Sequence, residues 1–254
     1  MPSYVEIEEA RHLDGPLLVL TAGVPGPYGE AAKYVFAVKG IDYTPVRQVP
    51  GESDEALRDW TGQTSAPVAI LPDDRPRSSW VEILYLAERI APAPRLIPED
   101  PEERMRMFGL CHEMAGDGGL GWQRRLMLLH PAIKAGVGGV PELLGKKYGY
   151  SPEAGEAAPQ RSAEILETLS RQLLAQRERG SRFMVGDQLS AADLYWASFS
   201  AMVEPLPHEQ CPMSAGMRGA YTLVDPDVRK VADPILLEHR DFIFDKYLEL
   251  PLDF

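Results

Sequence analysis

Between Ala91 and Pro98 the chain reads Ala-Pro-Ala-Pro-Arg-Leu-Ile-Pro. Each proline removes a backbone donor and fixes φ, so this segment suits a joint between domains. The two sides of the joint differ in kind. Before it, short apolar runs alternate with helical patterns. After it, strand signals nearly vanish. The split predicts two domains, residues 1–92 and 93–254.

In the first part, Leu17–Leu20 (LLVL) reads as a buried strand. A loop rich in glycine and proline, Gly23–Gly29, follows it. From Glu30 to Lys39 the pattern is helical, with Ala31, Tyr34, Val35 and Val38 on one face and Gly40 just past the end. Tyr43–Val46 and Val68–Leu71 are two further strand candidates. Ser79 opens a helix over Ser79–Arg89, and Ser79-x-x-Glu82 is a capping-box pattern. Strands alternating with helices predict an α/β domain.

In the second part, helices are expected over Pro101–Met114, Trp122–Leu129, Pro141–Tyr148 and Pro159–Arg179. Ser190-x-x-Asp193 is a second capping box, opening a helix to about Met202. A last helix is expected over Pro226–Leu248. The second domain therefore reads as all-helical.

The net charge of −12 opposes nucleic acid and anionic membrane surfaces as partners. Cys111 and Cys211 form no CxxC and no disulfide framework, which fits a reducing cytoplasm. No stretch approaches the roughly 18 apolar residues of a membrane span, and the acidic, polar start is not a signal peptide.

Four segments, in order, resemble the glutathione S-transferase family. Pro27-Tyr28 followed by Ala31–Ile41 resembles its active-site loop and first helix. Ser65–Leu71 resembles its Val-Pro-Val-Leu segment, whose proline is usually cis. Ser78–Leu86 resembles its acidic-Ser-x-x-Ile helix start. Phe183–Leu194 resembles its Gly-Asp-x-Leu-Ser-x-Ala-Asp folding motif. The resemblance covers most of residues 17–203. It implies a thioredoxin-like fold for residues 1–92, glutathione as the bound thiol and co-substrate, and a homodimer.

Glutathione chemistry needs a thiolate. A free thiol has a pKa near 8.5, and lowering it by about 2 units takes roughly 2.7 kcal/mol of preference for the anion. The helix N-terminus near Gly29 can supply part of that through its amides and dipole. The family usually adds a hydroxyl or thiol beside the Pro-Tyr pair, where this chain has Gly26 and Gly29. The remaining hydroxyls are Tyr28 and Thr21. Tyr28 either donates to the thiolate or packs as an aromatic wall. The glycines also allow the backbone amides to approach the sulfur directly.

The resemblance further implies that Ala66, before Pro67, pairs its backbone with the cysteinyl part of glutathione. It places the γ-glutamyl carboxylate at the helix end capped by Ser79. Ser79 is an N-cap on any reading. Ser78 stands where the family often has an acid for the γ-glutamyl amino group. The second, small and largely apolar electrophilic substrate is assigned to Met107, Cys111, Met114, Trp122 and Arg125. Methionines at helical spacing also fit simple core packing. Arg124 and Arg125 hold an acidic substrate, or form a solvated pair or a salt bridge.

Gly116–Gly121 matches GxGxxG but follows a helix rather than a strand, which excludes a dinucleotide site. His112-Glu113 lacks the second histidine of HExxH, and no metal-ligand spacing occurs. Three functions follow in order of support: a glutathione-dependent transferase, with lyase and isomerase chemistry sharing the same site; a non-catalytic binding module; and an assembly protein that does not bind glutathione. Residues 204–254 extend beyond the family core, with no sequence basis for their role.

Overall fold

The computed structural model describes residues 3–50 and 52–254. Two compact units emerge. The first runs to Ile97 and includes Pro207–Met213 and Phe244–Phe254; the second comprises Pro98–Leu206 and Ser214–Ile243. Those two later segments join the first unit, whereas the division at residue 92 had grouped them with the helices. Apolar packing and one backbone bond explain it: the Phe244 ring sits edge-on to Tyr34 at 5.7 Å, and Leu252 N–H donates to the Gln210 carbonyl at 2.8 Å.

In the first unit the elements run α1 (Ile7–Ala10), β1 (Leu17–Thr21), α2 (Pro27–Val38), β2 (Thr44–Gln48), α3 (Glu55–Thr61), β3 (Val68–Ile70) and α4 (Trp80–Ile90). The sheet order is β2-β1-β3. β1 is parallel to β2 and antiparallel to β3, with Leu17 opposite Thr44 and Ile70. Leu17, Leu18, Val19 and Leu20 are all buried, as a central strand covered on both faces requires. Leu17 and Val19 pack with Val46, Leu57, Val68, Ile70 and Ala10. The pleat turns Leu18 and Leu20 to the other face. A side chain at Gly29, in the first turn of α2, would stand 3.5 Å from Leu20, so α2 covers that face.

The second unit contains α5 (Pro101–Ala115), α6 (Leu120–Lys134), α7 (Val140–Lys147), α8 (Pro152–Glu178), α9 (Ala191–Phe199), a 3₁₀ turn at Ser200–Met202, α10 (Ala215–Tyr221), α11 (Pro226–Val231) and α12 (Ile235–Tyr247, shared with the first unit from Phe244). Three expectations needed correction. α8 starts at Pro152 rather than Pro159, because Ser151 caps it by accepting from Ala154 N–H at 3.1 Å and Pro152 takes the first turn. Pro159 then sits inside a helix of 27 residues, where one missing bond is tolerated. The last helix is two, broken before Pro234. α6 begins and ends beyond Trp122–Leu129, running through Pro131. The helices α1, α3 and α10 had no sequence signal. α1 has only 4 residues. α3 buries only Leu57. Two glycines, Gly216 and Gly219, hide the pattern of α10, although Ser214 caps it.

The folding-motif acid is fully buried. Asp193 accepts from Met184 N–H at 2.7 Å, Ser190 N–H at 2.8 Å and the Ser190 hydroxyl at 2.9 Å. His239 Nε2, on α12, lies 3.0 Å from Asp193 Oδ1, the oxygen that also accepts from Met184, and neither side chain is exposed. Asp193 thus ties the loop before α9, the cap of α9 and α12 together. The sequence assigned it the capping role alone.

Candidate active site

Three backbone features meet at one end of the sheet in the first unit. β1 runs toward Thr21, and α2 begins a few residues beyond it. Val19 pairs with Val68, so the same antiparallel register continued sets Ala66 beside Thr21. The Ala66–Pro67 peptide is cis, as the resemblance implied. The chain then turns and comes back: Arg77 and Ala69 exchange backbone hydrogen bonds of 2.8 and 2.9 Å. That return brings Ser78 and Ser79 to the Pro67 end, where α4 starts.

The α2 end is open. Gly26 is its N-cap at φ −64° and ψ 129°, Pro27 holds the first turn, and no side chain caps the amides. Pro27 lacks a donor anyway, and its fixed φ suits the position. The first helical bond is Glu30 N–H to the Gly26 carbonyl, 2.9 Å. Tyr28 is half-buried in this turn. Thr21 leaves the candidate set as a thiolate donor. A hydroxyl carries one proton, and that of Thr21 is donated to Gln48 Oε1 at 3.2 Å.

At the α4 end, the Ser79 oxygen accepts from Glu82 N–H at 3.3 Å, and its hydroxyl donates to Glu82 Oε2 at 3.0 Å. Arg75 holds the other carboxylate oxygen at 2.6 Å. The Glu82 carboxyl is consequently held below its ordinary range, chiefly by the Arg75 hydrogen bond. Beyond its part in the capping box, Glu82 sets a paired carboxylate at the helix end beside Ser79. Ser78 is half-buried and adjacent.

Glu30, next to Gly29, is only 4% exposed. Burial raises its carboxyl above the ordinary 4.5, and the charge and hydrogen bond of Lys33 only partly oppose this. A carboxyl with a raised folded-state pKa binds more protons folded than unfolded. Its stability contribution is present below the unfolded value and is lost as pH rises toward the folded one. Glu30→Gln is therefore expected to gain on wild type in thermal unfolding as pH rises from about 4 to about 7. A gap that stays constant over that range contradicts the burial account. No sequence pattern flagged Glu30, because a charged residue at the edge of the apolar stripe, one turn before Tyr34, reads as solvated.

The residues expected to line the second-substrate pocket fall into two groups. Met107, Cys111 and Met114 are each 0% exposed. Their i, i+4, i+7 spacing on α5 is that of a core-facing stripe, so they are withdrawn as substrate contacts. Burial, with the Asp193 charge second, pushes the Cys111 thiol well up, which also removes it as a nucleophile. Trp122 and Arg125, on α6, remain half-buried. The Arg125 guanidinium lies 3.9 Å from the Tyr148 ring centroid and 5.6 Å from that of Trp122. The two rings meet edge-on at 5.8 Å. Among the described residues Arg125 has no carboxylate partner. Arg124 behaves differently: it is buried, and donates to the Met202 carbonyl at 2.7 Å and that of Tyr221 at 3.4 Å. Burial lowers its pKa to about 10. The expected solvated pair or salt bridge is not what either arginine forms. Tyr148 was missed, since it stands on the far side of α7 from Arg125 in sequence.

Among the described residues no group of three or more His, Cys, Asp and Glu is placed to hold a metal ion, and no helix is long and apolar enough to cross a membrane. No protein-family model matches this chain, and no curated protein sequence matches it significantly. Solved structures do. A glutathione S-transferase from Xanthobacter autotrophicus Py2 matches at 15% identity and TM-score 0.58, over 92% of this chain and 96% of that one. Rice GST1 in complex with glutathione matches at 20% and 0.57, over 94% and 93%. A maleylacetoacetate isomerase from Methylobacterium extorquens AM1, with malonate and glutathione bound, matches at 23% and 0.54, over 89% and 94%. At these identities the likeness is one of architecture, and it agrees with the element order above: the chain has the glutathione S-transferase fold, a thioredoxin-like domain with an all-helical one.

Proposed function

We propose that this protein is a glutathione-dependent enzyme whose first unit binds glutathione and activates its thiol. The observation that carries the reading is the gathering of the uncapped α2 N-terminus, the cis Ala66–Pro67 peptide and the Ser79-capped α4 N-terminus at one end of the sheet. Helix N-termini favour anions through free amides and the dipole. In this reading α2 faces the sulfur, the Ala66 backbone pairs with the cysteinyl residue, and the α4 end, with Ser79 and Ser78, takes the γ-glutamyl carboxylate. Glu82, beside Ser79, supplies the acid for the γ-glutamyl ammonium that Ser78 does not. Gly29, whose missing side chain would face Leu20, seats α2 close on the sheet, and Tyr28 is the remaining hydroxyl donor.

For the second substrate we propose the Trp122–Arg125–Tyr148 cluster. A guanidinium stacked on rings and lacking a carboxylate partner suits an electrophile that carries a carboxylate on an apolar body. Transferase, isomerase and lyase reactions all begin from the same thiolate. A cytoplasmic homodimer belongs to this reading through the family resemblance, and light scattering tests the dimer. The experiment for activity is glutathione consumption or product formation across a panel of electrophiles, half of them carboxylic acids. Turnover biased to the acids, and lost in Arg125→Ala, is expected. No glutathione-dependent turnover with any compound contradicts it.

A second reading is favoured by Gly26 and Gly29, which offer no side-chain donor: a module that binds glutathione without activating it. Ultraviolet thiolate absorbance of bound glutathione at neutral pH separates the two, since only the enzyme ionises it.

A further inference from the structure

Residues 250–254 lie beyond the segments that resemble the family, and one of them, Asp253, reaches the first turns of α2. The Lys33 ammonium lies 3.1 and 3.3 Å from the two Glu30 carboxylate oxygens. The same ammonium donates to Asp253 twice, to its carboxylate at 3.0 Å and to its backbone carbonyl. One cation therefore serves a buried carboxylate on its own helix and a carboxylate brought from 220 residues away. The Lys33 side chain is 12% exposed and that of Asp253 56%. The segment is itself anchored, because Leu252 N–H donates to the Gln210 carbonyl. Tyr4 reports the same convergence: burial, then the charges of Glu30 and Asp253, push its phenol up to about 12.

Lys33 follows Gly29 by one helical turn, so whatever holds Lys33 holds the turn that presents the α2 amides. A helix terminus without a side-chain cap frays readily. Lys33 and Glu30 anchor this turn, and among the described residues Asp253 is the partner that Lys33 finds outside α2.

We propose that Asp253, gripping Lys33, straps residues 250–254 across the first turns of α2, and that this strap orders the α2 N-terminus and so sets glutathione affinity. The binding half of this statement rests on the function proposed above; the ordering half does not. The strap acts from outside the binding end. Asp253 is a positioning residue and touches no substrate.

The test uses the full chain, Asp253→Asn, and a variant lacking residues 251–254. Hydrogen exchange is followed in residues 28–33, and glutathione affinity by titration. Asp253→Asn removes the ion pair and keeps the carbonyl contact, while the deletion removes both. Exchange in 28–33 is expected to rise about threefold or more in Asp253→Asn and further in the deletion, with exchange in β1 unchanged. Glutathione affinity is expected to fall in the same order. Unchanged exchange in both variants overturns the strap. Faster exchange with undiminished affinity overturns its role in binding. If the wild type binds no glutathione, the proposed function fails, and the exchange data alone then decide whether the strap exists. Asp253 is more than half exposed, so Asp253→Asn folds even if the deletion does not.

Discussion

Asp193→Ala is expected to lower stability by about 3–5 kcal/mol, the range for removing one partner from a buried charged network. The substitution strands several groups at once. Met184 N–H, Ser190 N–H and the Ser190 hydroxyl each lose their acceptor, and each buried donor left unpaired costs about 1–3 kcal/mol. His239 is left buried without its carboxylate neighbour. A solvent-exposed N-cap acid would cost only about 1 kcal/mol, so the size of the loss distinguishes a network from a cap. Urea unfolding followed by tryptophan fluorescence is the measurement, since Trp196 is fully buried on the same helix. A loss near 1 kcal/mol would show that the cap alone matters and that the His239 contact contributes nothing.

Gly26→Ser is expected to lower the pKa of bound glutathione by about 1–2 units, because a hydrogen bond to a charged group contributes roughly 1.5–3 kcal/mol. The backbone permits it. φ at Gly26 is −64°, ordinary for any residue, and a side chain there would meet nothing within 4 Å. Serine also suits an N-cap, and relative to glycine that adds only a few tenths of a kcal/mol of stability. The thiol effect thus separates from the folding effect by size. Thiolate absorbance against pH, wild type beside variant, reads it. An unchanged thiol pKa would mean that Gly26 does not face the sulfur, and Tyr28→Phe would then test the remaining hydroxyl.

What the sequence disclosed and what it withheld follow from local and non-local physics. The β1 strand, both capping helices and the all-helical second half were legible because each has its own period or cap. The cis Ala66–Pro67 bond was expected from the resemblance and not from the residues. The core position of Met107, Cys111 and Met114 was readable from their spacing, yet the resemblance had assigned them to the substrate. The Arg125–Tyr148 stack, the Asp193–His239 contact and the Lys33–Asp253 bridge were invisible, since each joins residues far apart in sequence. Glu82 shows the intermediate case. Its capping role was in the sequence, and its pairing with Arg75 was not. The break at Pro234 was legible in principle, because a proline within an expected helix marks a boundary.

The central claim is that the first unit binds glutathione with the α4 N-terminus. Calorimetric titration of glutathione into wild type and Ser79→Ala tests it most directly. Ser79 caps its helix on any account, so the variant should lose about 1 kcal/mol of stability. If the same helix end also holds the γ-glutamyl carboxylate, affinity should fall by about fivefold, since the cap that orders the α4 amides, worth about 1 kcal/mol, is lost. Binding by the wild type that weakens by that factor in the variant is the expected result. No binding heat with the wild type, or equal affinity in both proteins, would contradict the assignment of the site.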